Sequence, residues 1–148
     1  MSEPTSTPPT AASSADGFRQ HLAALRKAVF ELHKILIDSE RATYEQTVGT
    51  IPSPGYFLQL LTTDPWFAWL HPLSQMVVTM DVALDAKKDP LTASAAAVLI
   101  QQTRGLLTPS ETGEGFARHY YDALQRDPDV LFAHATAMRL ARPAKPAV

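Results

Sequence analysis

The sequence predicts an all-α protein, and three observations carry that expectation. Apolar residues recur at three- and four-residue spacing along most of the chain, no stretch alternates apolar with polar as a half-buried strand would, and prolines and glycines fall between the periodic segments. Four main helices joined by short loops are expected to form an antiparallel bundle with a kinked second helix and a broken fourth.

The 148 residues suit one domain, with a disordered tail over residues 1–16, a helical bundle over 17–141 and a second disordered tail over 142–148. The first tail contains Pro4, Pro8 and Pro9 among many Ser and Thr residues, without the apolar core of a secretory signal. The second is the proline-broken run Arg142-Pro-Ala-Lys-Pro-Ala-Val148.

Asp16 is placed to cap a first helix running from about Gly17 to Val48. Phe18, Leu22, Leu25, Val29, Leu32 and Leu36 step by four and three, which sets them on one stripe. Lys27, Glu31, Lys34, Asp38, Arg41 and Glu45 step the same way with alternating sign and read as a water-facing ladder of weak ion pairs.

Gly49 and the run Ile51-Pro-Ser-Pro-Gly55 end that helix, because proline supplies no N–H and restricts its neighbour. Tyr56 to Leu61 then forms one or two helical turns. Asp64 and Pro65 give a side-chain cap followed by proline at the first helical position, so a second long helix is expected from Pro65 to about Lys87. Pro72 should kink or break it near His71.

A third helix is expected from Ala93 to Leu107, started by Asp89-Pro90 or by Thr92, with alanines thinning its first turns. Ser110, Glu111 and Glu114 suit the start of a fourth, which runs from Phe116 to Arg126, breaks at Asp127-Pro128 and resumes to about Ala141.

A formal net charge of -2 and a pI near 6.2 leave no electrostatic footprint for nucleic acid or an anionic membrane. Without cysteine there is no disulfide, thiolate ligand or thiol nucleophile, which fits a reducing, cytoplasmic setting. No apolar run is long enough to span a bilayer. Nucleophile elbows, phosphate-cradling glycine loops and zinc-protease motifs are missing, so catalysis has no signature in the chain.

Five residues are candidates for ligand binding. Arg26, His33 and Glu40 are spaced by seven on the shoulder of the first helix's apolar stripe, and could offer a cation, a titratable ring and a carboxylate. Long polar side chains at such flanks also snorkel to water, which is the competing explanation. His134 lies among Val130, Leu131, Ala137 and Met138 and reads as a core histidine. His71 stands beside the expected Pro72 kink in an aromatic-rich segment containing Trp66 and Trp69. His119 and Asp122 fall short of a di-metal motif, and the histidines and methionines show no haem-binding arrangement, so neither metal nor another cofactor is expected.

Charge is segregated by helix. Between Trp66 and Met80 no residue is formally charged, and Ala93 to Leu107 carries only Arg104. A helix that is apolar nearly all round needs cover, so a homodimer or another protein partner is expected at Phe67, Ala68, Val78, Val82 and Ala96. The expected function is a non-enzymatic interaction or regulatory module. The alternative is a helical bundle that holds a small ligand, whether haem, metal or an organic molecule, with or without a catalytic role.

Overall fold

The structure, a computed structural model, describes residues 11–143, with side chains over 17–143. The described chain is all-helical and comprises α1 (Ala11–Thr47), α2 (Pro54–Thr63), a 3-10 segment (Pro65–Leu70), α3 (His71–Asp85), α4 (Ala93–Leu106), α5 (Phe116–Arg126) and α6 (Pro128–Leu140). Of the disordered tails expected over residues 1–16 and 142–148, residues 1–10 and 144–148 lie outside the described residues.

Most boundaries follow from local chemistry that the sequence displays. The Ser53 hydroxyl accepts the Tyr56 N–H at the start of α2, and the Asp64 carboxylate accepts that of Trp66 at the start of the 3-10 segment. Thr92 caps α4 through the Ala95 N–H, and Asp127 caps α6 through that of Asp129. In each case a side-chain oxygen satisfies a backbone donor that has no partner within its own helix. At three of these four starts the next residue is proline, whose missing N–H costs nothing there.

The break expected near His71 is present: Pro65–Leu70 winds as a 3-10 helix, and α3 restarts at His71 with Pro72 in its first turn, where a proline is tolerated. Two expectations need correction. Helix α1 begins at Ala11, so Asp16 lies within it rather than capping it. Ser110 does not cap α5. Its backbone N–H donates to the Ala117 carbonyl, and the residue preceding α5 is Gly115 at φ 64, a conformation that favours glycine.

The core is organised around α1. Leu22, Leu25, Val29, Leu32 and Leu36 are fully buried, and α1 packs against α6, α3 and α4 along its length, with α5 and the 3-10 segment at its C-terminal part. Facing this stripe are Leu73 and Met80 from α3, Ala96 and Ile100 from α4, Tyr120 and Ala123 from α5, and Val130 and Ala137 from α6.

An aromatic cluster closes one end. Phe67 is buried beside Tyr44 and Phe57, and Trp66 meets Tyr44 edge-on at 5.4 Å between centroids. Arg41 lies over the Phe57 ring at 4.8 Å, tying α2 to α1. The indole N–H groups of Trp66 and Trp69 are buried without a hydrogen-bond partner, so both rings act as apolar filler.

Because Leu32 sits mid-stripe and is fully buried, Leu32→Ala is expected to lower the unfolding free energy by about 2–5 kcal/mol. Urea denaturation followed by circular dichroism measures this.

Candidate functional site

The polar line on α1 separates in the folded chain. Arg26 reaches α3 and pairs with Asp81 at 3.0 Å. Glu40 reaches the end of α5, where its carboxylate is 2.9 Å from the Arg126 guanidinium, which also donates to the Ser39 hydroxyl. Fourteen residues of α-helix put these pairs about 21 Å apart along α1. No small ligand spans that distance, and both charged heads already have partners. Half-buried between them is His33, whose burial lowers its pKa from the ordinary 6.5.

The other two histidines are also engaged. Burial holds the Tyr120 hydroxyl far above its usual pKa, so it stays protonated, while His134 is shifted down and favours the neutral ring. The geometry fits those states: the Tyr120 hydroxyl is 2.6 Å from His134 Nδ1, so it donates and Nδ1 accepts, leaving the imidazole proton on Nε2. This bond links α5 to α6. His71 is exposed at the start of α3, with Nε2 3.2 Å from the Leu61 carbonyl at the end of α2. Of the five residues, none shares a ligand-sized space with another.

Among the residues singled out for an interface, Phe67 and Ala96 are buried within the single chain and leave the surface set. The sequence could not tell them from their neighbours because the α2 turn and the 3-10 segment that enclose Phe67 are tertiary arrangements. Ala68, Val78 and Val82 do face water. Val78 is 58% exposed, Val82 is 65% exposed, and Val98 on the adjacent α4 is 52% exposed. Around the valines, the exposed residues of α3 and α4 include the uncharged Gln75, Thr79, Ala95 and Gln102, and Asp85 one turn beyond Val82. Asp81, at the α1 side of this surface, is paired with Arg26.

On another side of α4 the structure opens a cleft of about 530 Å³ that sequence reasoning missed. Its apolar walls come from Phe18 of α1, Ala93, Ala97 and Ile100 of α4, and Ala141 after α6. The alanines create the hollow, because a methyl group stands where a longer chain would fill the gap between helices. His21 also lines it, with Nε2 2.6 Å from the Leu140 carbonyl, which fixes that ring across the end of α6. Arg104 stands at the cleft and also lines a smaller hollow of about 310 Å³ together with Arg139 and Arg142. Among the described residues none of these three arginines forms an ion pair with a carboxylate.

Among the described residues, no three His, Asp or Glu side chains group closely enough to hold a metal ion, and no helix is long and apolar enough to cross a membrane. No family model, curated protein or solved structure matches the chain.

Two outcomes follow. The Glu40 side chain is only 9% exposed, so Arg126→Met leaves a buried carboxylate without its partner and is expected to cost about 1–3 kcal/mol. Replacing Glu40 by Gln in the same chain should recover part of that loss, as read by urea denaturation. For His33 and His134 the folded state disfavours the proton, so the unfolded state binds more protons as pH falls below 6.5. Their stabilisation is present above pH 6.5 and lost on acidification, so the urea midpoint should drop between pH 7.5 and pH 5. The double variant His33→Gln/His134→Gln should flatten that profile.

Proposed function

We propose that the chain is a non-enzymatic protein–protein interaction or regulatory module that works as a homodimer through the outer faces of α3 and α4. In this reading α1, α3, α4 and the α5–α6 pair act as the four arms of an antiparallel bundle. The observation that carries the proposal is the water-facing apolar patch of Val78, Val82 and Val98, which Asp81 and Asp85 border on α3.

A solvent-facing helix ordinarily carries charge on its outer row, as α1 does with Lys27, Glu31, Lys34 and Asp38. The corresponding rows on α3 and α4 present mainly valine, alanine, threonine and glutamine, with charge confined on α3 to Asp81 and Asp85 near its C-terminal end. A two-fold interface brings the same patch of both copies together, so any charge on it tends to meet its own image. A patch whose centre at Val78 and Val98 carries no charge limits that repulsion, which favours a second copy of the chain over a partner selected by complementary charge.

A second reading, a helical protein that holds a small ligand, is favoured by the cleft between α1, α4 and the end of α6. It draws nothing from Arg26, His33, Glu40, His71 or His134, whose geometry provides no shared binding space.

Size-exclusion chromatography with light scattering is expected to give twice the 16.2 kDa chain mass at tens of micromolar. The double variant Val78→Lys/Val82→Lys should run as a folded monomer, with helical content unchanged by circular dichroism. A monomeric parent protein at those concentrations refutes the homodimer.

A further inference from the structure

We infer that the cleft between α1, α4 and the end of α6 binds an amphipathic organic anion, an alkyl chain ending in a single carboxylate, with the chain among the alanines and the head at Arg104. Four observations combine in this assignment.

The first is size: about 530 Å³ lies within the range of small-molecule sites. The second is the lining, where Phe18, Ala93, Ala97, Ile100 and Ala141 offer carbon only, so an apolar body entering the cleft displaces water with no loss of hydrogen bonds. The third is the position of charge. Arg104 lines both the apolar cleft and the adjoining hollow that contains Arg139 and Arg142, so a chain lying in the cleft presents its head to a basic mouth. The fourth is that none of the three guanidinium groups has a carboxylate partner among the described residues, although the chain as a whole is acidic. A planar carboxylate matches the guanidinium fork, and the pairing gains strength beside an apolar wall that keeps water away.

The polar neighbours do not oppose an anion. His21 is turned to the Leu140 carbonyl, and Gln101 is neutral. Arg104 itself lies 3.5 Å from the Met138 carbonyl, a long contact that a charged head readily replaces. The site is distinct from the proposed dimer surface. On the helical wheel of α4, the cleft residues Ala93, Ala97, Ile100 and Arg104 lie on the opposite side from Ala95, Val98 and Gln102. A monomeric protein would therefore leave this inference standing.

The test is isothermal titration calorimetry of the full chain with decanoate below its micellar concentration. Saturable binding of one decanoate per chain is expected, with decanol at least tenfold weaker. Arg104→Met keeps the side-chain stem, removes the charge and should weaken decanoate at least fivefold. Ala97→Trp places a large ring in the cleft from an exposed helix position and should abolish binding while circular dichroism and the urea midpoint are preserved.

Equal affinity for decanol and decanoate would overturn the role of Arg104. Undiminished decanoate binding in the Ala97→Trp variant would remove the cleft. Inorganic phosphate binding with the affinity of decanoate would reduce the site to a simple anion patch. Co-sedimentation with phosphatidylglycerol vesicles without binding of monomeric decanoate would replace a ligand pocket with a membrane-facing surface.

Discussion

Removing the apolar stripe of α1 from water is the constraint on which the rest of the structure depends. Five aliphatic residues from Leu22 to Leu36 are fully buried, and they are covered by α3, α4, α5 and α6 rather than by any single neighbour. One long helix thus serves as the common wall of the core, and the shorter helices are positioned by what they place against it. Each of those shorter segments would be marginal alone in water, since helices of about this length draw most of their stability from packing an apolar face.

Polar side chains of α1 hold the surrounding helices at particular points. The Arg19 guanidinium donates to the Leu84 carbonyl in the last turn of α3, and His21 reaches the Leu140 carbonyl at the end of α6. Carbonyls in a last helical turn have no partner within the helix, so these contacts satisfy backbone groups while fixing where two helices end against a third. Glu40 with Arg126 fixes the end of α5 against α1 through side chains alone. The charges aligned along α1 thus reach different helices, Arg26 pairing with α3 and Glu40 with α5. Arg104, Arg139 and Arg142, which have no carboxylate partner among the described residues, lie elsewhere, where α4 meets α6.

Much of the fold was legible because its causes are local. The cap-and-proline pairs at Asp64-Pro65 and Asp127-Pro128 place two helix starts without reference to the remainder of the chain, and the stripe from Phe18 to Leu36 identifies a buried face by spacing alone. Where the reading failed, the reason was a competing arrangement. Phe67 and Ala96 have the spacing of surface apolar residues, but chain segments distant in sequence cover them. Arg26 and Glu40 align on one face of α1, yet Asp81 and Arg126 approach them from separate helices. The cleft was invisible for a related reason: its walls come from residues near 20, 100 and 140, and its hollow is made by side chains that are too small.

The amino-acid sequence by itself determined that this protein is helical, where most of its helices begin and end, and which face of the first is buried. Those properties follow from backbone capping, proline geometry and a 3.6-residue period, all set by near neighbours. Only the tertiary structure decided which polar groups pair, which apolar residues remain in water and where a cavity opens. These depend on the distance between side chains far apart along the chain, and no local pattern encodes that distance.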